Sequence, residues 1–262
     1  MTYVMESEQE LARLTAQGEA DPVRERLLAT GLRAGHVALD AGCGPGVVSR
    51  VLAELVGPAG RIVGIDLSHE RIQEARRRAE GLSQLSFRES DVHNTGFEDE
   101  SFDFVWSQFV FEYLSRPDLA LQELVRVTRR GGKLVISDID GAGLANWPFP
   151  IDLQHKVARL FDALRVTGFD VHAGRKMFHL FRSSGLTDVK VHVFPFYVIA
   201  GRADERTLID WQVRFATAER VAAPAFGGVG PWRQFRDEYL ALMNDPDTLK
   251  YAVVLVTEGV RP

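Results

Sequence analysis

The sequence predicts an α/β fold, a parallel sheet wound with helices on both faces, and three observations carry that prediction. The apolar run Val37-Ala38-Leu39 turns through Asp40-Ala41-Gly42-Cys43-Gly44-Pro45-Gly46 into a helical pattern from Val47 to Val56. Strand-like and helix-like patterns then alternate as far as Ile139, as they do where crossover helices join parallel strands. An acidic residue, Asp66, ends the second strand pattern twenty residues after Gly46.

The first of these stretches is a ligand loop. An apolar strand that turns on glycines into a helix points the free backbone N–H groups of the helix start at whatever binds there. The glycine spacing selects the ligand. Dinucleotide loops run G-x-G-x-x-G so that a pyrophosphate rests on the helix start, but here the third position is Val47 and the glycines are Gly42, Gly44 and Gly46. A carboxylate at Asp40 repels a phosphate and attracts an ammonium group. The expected ligand carries a cation and no phosphates.

The elements follow in order. Ser7 to Gly18 reads as an amphipathic helix with Leu11 and Leu14 on one face, and Pro22 to Ala29 as a second helix. After the loop come a strand at 61–66, a helix from His69 to Glu80, a strand from Leu85 to Glu89 and a strand from Phe102 to Trp106. A helix from Pro117 to Arg129 leads to a strand from Lys133 to Ile139. Beyond Asp140, the stretch Gly141 to Gly174 is too long and too apolar for a simple link and reads as a cap with a helix from Asp152 to Arg165. A helix from Arg175 to Ser184 and a strand from Asp188 to Val198, broken at Pro195, come next. Helices from Asp204 to Arg220 and Pro231 to Met243 flank the mobile-looking Phe226-Gly227-Gly228-Val229-Gly230, and Tyr251 to Thr257 closes as a strand.

Composition narrows the function. At 262 residues, 45% apolar and 26% charged, the chain suits one domain with a large cap or two small ones. The net charge of −5, with arginines grouped only at Arg76-Arg77-Arg78 and Arg129-Arg130, argues against a nucleic-acid substrate. The single cysteine, Cys43, excludes an intrachain disulfide and a multi-cysteine metal site. No 18 apolar residues run together and Met1 to Glu10 is acidic, so the expectation is a cytoplasmic protein with no membrane span.

The loop Asp40-x-Gly42-x-Gly44-x-Gly46 resembles the D/E-x-G-x-G-x-G motif of the class I S-adenosyl-L-methionine (SAM) dependent methyltransferases. Ser101-Phe102-Asp103 and Gly131-Gly132-Lys133-Leu134-Val135-Ile136-Ser137 are similar to that family's fourth and fifth strand signatures. The resemblance, good over about residues 36 to 140, implies a Rossmann-like seven-stranded sheet in the order 3-2-1-4-5-7-6, the last strand antiparallel, with a helical cap. It implies SAM as cofactor, held by Asp40, Gly42, Gly44 and Gly46. Asp66 and Leu67 would meet the ribose, Asp91 and Val92 the adenine, and Ser107 the sulfonium. Asp91 has an alternative as a loop residue capping its own turn, and helix capping at the Asp66 end already falls to Ser68. Tyr3, Arg13 and Gln17 are candidate lid residues, with a surface-docked helix as the other reading. The implied organisation is a helical lid at 1–30, a SAM-binding core at 31–140, a cap insertion at 141–174, core again at 175–200, a helical substrate cap at 201–247 and the final strand at 248–262.

Methyl transfer from a sulfonium needs the acceptor held close and in line in a dry pocket, and a base only where the acceptor must lose a proton. Ser107-Gln108-Phe109-Val110-Phe111-Glu112-Tyr113 lacks the N/D-P-P-Y/F of amino-methylating enzymes and the acidic ligand of metal-dependent ones, so no metal is expected. Candidate acid–base residues are His93, His155, His172, His179, Glu112, Tyr113 and Asp140, with His155 and His172 in the cap the better placed histidines and Glu112 and Tyr113 following the fourth strand, and each has a packing or surface role as the alternative. Many of the late aromatics, which include Trp147, Phe161, Phe169, Trp211, Phe215, Trp232, Phe235 and Tyr239, are expected to be ordinary core, but a roof of this composition favours a small hydrophobic acceptor of aromatic, polyketide-like or isoprenoid-like type. The competing function is a SAM-binding regulator or partner subunit without catalysis, and an NAD-dependent oxidoreductase is disfavoured by Val47. Assembly into a homo-oligomer is left open by the sequence.

Overall fold

A computed structural model describes residues 21–262 of the chain. The helix expected over 7–18, and with it Tyr3, Arg13 and Gln17, lies outside the described residues. Seven strands form one sheet in the order β3-β2-β1-β4-β5-β7-β6. They are β1 (Val37–Ala41), β2 (Arg61–Asp66), β3 (Leu85–Glu89), β4 (Phe102–Gln108), β5 (Thr128–Trp147), β6 (Thr187–Ala200) and β7 (Leu249–Val260). Strands β1 to β5 pair in parallel, and β7 runs antiparallel to both β5 and β6. Fold class, strand order and the antiparallel last strand are those expected.

The helices are α1 (Asp21–Ala29), α2 (Val47–Val56), α3 (His69–Arg78), α4 (Pro117–Val127), α5 (Ile151–Leu164), α6 (Ala173–Ser183), α7 (Glu205–Ala222) and α8 (Val229–Met243). Their ends have local causes. Proline opens α4, where a missing N–H costs nothing. The Ser68 hydroxyl accepts from the Arg71 amide at the start of α3, and the Asp204 carboxylate accepts from the Thr207 amide at the start of α7.

Side chains of β4 serve both faces of the sheet, and a register irregularity between Phe102 and Phe104 puts those two on opposite faces. Phe104 and Trp106 join Leu27, Leu52 and Ile62 under α1, α2 and α3. Phe102 and Val105 join Leu121, Leu124 and Phe181 under α4 and α6. Burial on both faces is why the central strands read as unbroken apolar runs rather than as alternation. A third core lies within the helices at the sheet's carboxyl end, where Leu153 and Val157 of α5 pack with Phe215 of α7 and Trp232, Phe235 and Tyr239 of α8.

The irregular second half differs from expectation in four places. Strand β5 does not stop at Ile139 but resumes its pairing with β7 at Ala145, after an interruption at which Gly141 and Gly143 take φ of 72° and 82°. The sequence reads Gly141 as the opening of the cap, but the two glycines form a bulge, since left-handed φ interrupts a ladder without ending it. Strand β6 passes Pro195 with a register shift between Pro195 and Tyr197, which absorbs the missing N–H. Phe226 to Gly230 is structured: Ala223–Phe226 is a 3-10 turn, Gly227 and Gly228 reverse the chain and Val229 already begins α8. Among the late aromatics, Trp232, Phe235 and Tyr239 are helical core, as expected of many of them, but Trp147 belongs to neither core nor roof and is 77% exposed.

Candidate functional site

A cavity of about 630 Å³ opens at the carboxyl ends of β1, β2, β3 and β4 and runs under α5 and α7. This is the end of a doubly wound sheet where the strand order reverses, at β1 and β4, and where such folds bind ligands.

One half is built from the glycine loop and the acidic strand ends. Gly42, Gly44 and Gly46 all take left-handed φ, at 78°, 53° and 80°. A Cβ at Gly42 would stand 2.3 Å from Val110 Cγ2 and one at Gly46 would stand 2.8 Å from Phe87 Cζ, whereas the space beside Gly44 is open. The outer two glycines let the protein close on itself, and the middle one leaves room for a ligand. Asp66, 7% exposed, ties the loop down: its Oδ2 accepts from the Gly44 amide and its Oδ1 from the Ser68 amide, both at 2.9 Å. Asp40 is buried, and the Ser49 hydroxyl donates to its Oδ2 at 2.5 Å. Burial pushes the Asp40 carboxyl up to about 7, against the pull of that hydroxyl and with a further push from Asp66.

Leu67, 60% exposed, and Val92 flank this half, and Asp91 stands at its rim, with Oδ1 accepting from the His93 amide at 2.9 Å and facing His93 Nδ1 at 2.7 Å. Three acidic side chains around the open space beside Gly44 suit a ligand with an ammonium group and hydroxyls and oppose one with phosphates. Asp40, Gly42, Gly44, Asp66, Leu67, Asp91 and Val92 therefore all line one cavity, and Gly46 closes the turn behind them.

The other half is apolar. Gln108, Phe109, Tyr113, Phe161, Phe169, Trp211 and Phe215 line it. Phe109 holds a φ of 55°, a strained conformation for a bulky residue of the sort that clusters at functional sites. Its ring meets Phe196 edge-on at 5.6 Å. The Gln108 carboxamide oxygen accepts from Arg26 Nη1 at 3.3 Å, which turns its NH2 the other way. Arg26 is itself buried, and that burial lowers its guanidinium to about 10.

Four expected site residues are placed elsewhere. Ser107 does not line the cavity; its hydroxyl donates to the Ala41 carbonyl at 2.8 Å and stitches β4 to β1, so Gln108 takes the position expected of it. Glu112 is turned into the protein beside Asp138, its amide donating to Asp138 Oδ2 at 3.1 Å. Burial and then the charge of Glu112 hold the Asp138 carboxyl well above the ordinary carboxylate range. His155 is exposed on α5, because Leu153, Val157 and Leu160 claim the inner face of that helix. His172 precedes α6, with its Nδ1 3.7 Å from Asp140 Oδ1, and it is Val171 and Phe169 that reach the cavity. Of the acid–base candidates, Tyr113 and His93 line the cavity, and His93, the one histidine among the described lining residues, stands beside Asp91 at the far end from the aromatic half.

Two lining residues, Arg71 and Arg214, escaped the sequence reading. Arg71 sits in the first turn of α3, where the helix dipole disfavours a cation, and that mismatch was a usable signal. Arg214 lies four residues after Asp210, a spacing that reads as a solvated helix pair.

Among the described residues no cluster of three or more His, Cys, Asp or Glu side chains is arranged to hold a metal ion, and no helix is long and apolar enough to cross a membrane. Residues 39–136 match a family profile described as a methyltransferase domain. A transposon-borne 37.1 kDa protein of Streptomyces fradiae is 43% identical over 108 residues, a match that covers 41% of this chain and 31% of that protein. The demethylmenaquinone methyltransferase of Staphylococcus aureus is 27% identical over 182 residues, covering 65% of this chain and 76% of that enzyme. Among solved structures, the phosphoethanolamine N-methyltransferase 2 of Haemonchus contortus, in complex with phosphomonomethylethanolamine and S-adenosylhomocysteine, aligns with a TM-score of 0.65 at 14% identity. That alignment covers 98% of this chain and 59% of the other, and it is a likeness of fold.

Proposed function

The chain belongs to the class I SAM-dependent methyltransferases, and from that premise we propose that it methylates a small hydrophobic acceptor held in the apolar half of the cavity. The observation that carries the reading is the division of one continuous cavity into an acidic, glycine-lined half and an aromatic half that meet at Gln108 and Phe109. SAM, when bound, supplies a methyl group activated by a positively charged sulfur.

This chain's residues do the rest by holding and excluding. The Gly44 groove with Asp40, Asp66 and Asp91 suits the ammonium, ribose and adenine groups of the cofactor. Phe161, Phe169, Trp211 and Phe215 enclose the acceptor and keep water away, which strengthens every polar contact made inside. Proximity and alignment supply the rate. Tyr113 and Gln108 are among the polar groups placed to orient an acceptor heteroatom, and no histidine base is required of this arrangement. The domain roles proposed from the sequence fit this reading, with the helices from Ile151 to Leu164 and from Glu205 to Met243 as the acceptor cap. A purely SAM-binding regulator has no use for the aromatic half.

Calorimetric titration with S-adenosylhomocysteine, with NAD as control, tests the cofactor half; methyl transfer from radiolabelled SAM across aromatic and isoprenoid acceptors tests the other. Micromolar binding of S-adenosylhomocysteine and not of NAD, followed by labelled product from an apolar acceptor, is expected. Tight binding without transfer to any acceptor class would return the regulator to first place.

A further inference from the structure

The charged side chains lining the cavity are unevenly divided. Asp40, Asp66, Arg71, Asp91 and His93 all stand at the ends of β1 to β3 or in the turns and helix that follow. Beyond Gln108 the described lining carries a single charge, Arg214 of α7, set in a wall of Trp211, Phe215 and Ala218.

Its guanidinium is held from behind. Nε donates to Asp210 Oδ2 at 2.8 Å, one helical turn earlier, and the guanidinium carbon lies 5.9 Å from the Phe196 ring centre and 5.7 Å from that of Trp211. The side chain is 21% exposed. The hydrogen bond uses the Nε edge, the two rings lie 5.9 Å or less from the guanidinium carbon, and neither Nη has a hydrogen-bond partner among the described residues. A rigid, partly desolvated guanidinium with open donors in an otherwise uncharged wall recognises a planar or bidentate oxyanion, because such a partner restores the bonds that burial removed.

We propose that Arg214 binds an oxyanion of the acceptor, so that the acceptor is an apolar, aromatic-faced molecule bearing a carboxylate or an ionised phenol or enol. This rests on the acceptor reading given above and narrows it. Asp210 fixes the guanidinium in place and leaves its Nη edge to the ligand. The aromatic walls bind the body of the molecule while the arginine fixes which way round it lies.

The test uses the full chain saturated with S-adenosylhomocysteine at pH 8 and three probes of similar size: 2-naphthoate, the ionised 4-nitro-1-naphthol and the neutral 2-naphthamide. At least one anion is expected to bind about tenfold or more tightly than the amide, as one charge-assisted contact gives. Arg214→Gln removes that preference, and Arg214→Lys keeps part of it. A preference for the naphthoate alone assigns a carboxylate, and a preference for the naphtholate alone assigns an ionised phenol or enol. Equal binding of all three, no binding of any, or a preference that survives Arg214→Gln overturns the proposal. Affinity for S-adenosylhomocysteine, measured first, separates the two levels: its absence in the wild-type protein brings down the methyltransferase reading, whereas normal cofactor binding with no anion preference brings down only the role of Arg214.

Discussion

Asp66 Oδ2 accepts the amide of Gly44 at 2.9 Å, so the carboxylate at the end of β2 holds the middle of the glycine loop at the end of β1. The same carboxylate accepts from the Ser68 amide through Oδ1 at 2.9 Å, which fixes the entry to α3. One side chain thus couples the two turns that frame the cofactor half of the cavity, and each oxygen keeps a lone pair for a ligand hydroxyl.

Removing that side chain acts on binding and on the loop together. Asp66→Ala is expected to weaken S-adenosylhomocysteine binding by about 1.5–3 kcal/mol, the cost of losing a charge-assisted contact. It also leaves two amides of the cavity wall without their acceptor and lowers the thermal midpoint. Asp66→Asn keeps one acceptor oxygen for the loop and recovers part of the stability but little of the affinity. Calorimetry and thermal melts on the two variants check this, and unchanged affinity in Asp66→Ala would remove the residue from the site.

The glycines of the loop separate stability from binding. Gly42→Ala combines a φ of 78° with a Cβ 2.3 Å from Val110 Cγ2 and is expected to cost about 2–4 kcal/mol of stability. Gly44→Ala has a φ of 53° and open space on its cavity side, so it carries only the backbone strain, about 1–2 kcal/mol. Its methyl group enters the ligand's space, and cofactor affinity falls by more than stability does. Denaturant unfolding beside calorimetry distinguishes the two, and equal losses of stability would contradict the geometry.

The parts of this molecule legible in the sequence are those fixed by local chemistry. Asp40, the three glycines, Asp66 and Asp91 announce themselves by spacing along strand ends that the chain forms whatever lies elsewhere. The continuation of β5 through Gly141 and Gly143 depends on β7 more than a hundred residues later, and no local pattern encodes a distant partner. Arg214 was hidden for the opposite reason, since Asp210 four residues earlier supplies an ordinary local explanation. His155 could have been discounted from sequence, because Leu153, Val157 and Leu160 fix the helical phase and turn it outward.

That phase makes a direct prediction about catalysis. His155→Ala and His172→Ala are expected to leave turnover within about twofold of wild type, because neither ring reaches the cavity and loss of general acid–base catalysis would cost a hundredfold or more. Tyr113→Phe, by contrast, removes the hydroxyl of a lining residue whose ring packs against Phe169 at 5.4 Å. It is expected to slow transfer while leaving cofactor affinity intact. Single-turnover rates with labelled SAM measure all three, and a hundredfold loss in either histidine variant would restore a base to the mechanism.

Asp40 gives cofactor binding a pH dependence whose sign follows from its environment. Its carboxyl, pushed up to about 7 chiefly by burial, stays protonated in the folded protein at pH values where the unfolded chain, with an ordinary value of 3.8, has already released the proton. Between those two values the native state binds more protons, so this group's contribution to the stability of the ligand-free protein falls as pH rises from about 4 and levels off above about 7. A ligand ammonium requires the carboxylate form and so expels the proton when it binds below pH 7. Affinity for S-adenosylhomocysteine is therefore expected to rise with pH, approaching tenfold per unit well below 7, and to become flat above it. Asp40→Asn abolishes the rise and sets affinity at or below the low-pH level of the wild type. Thermal shifts with and without S-adenosylhomocysteine from pH 5.5 to 8.5 read the effect, and a ligand-induced shift that is constant across that range would mean that Asp40 does not meet the cation.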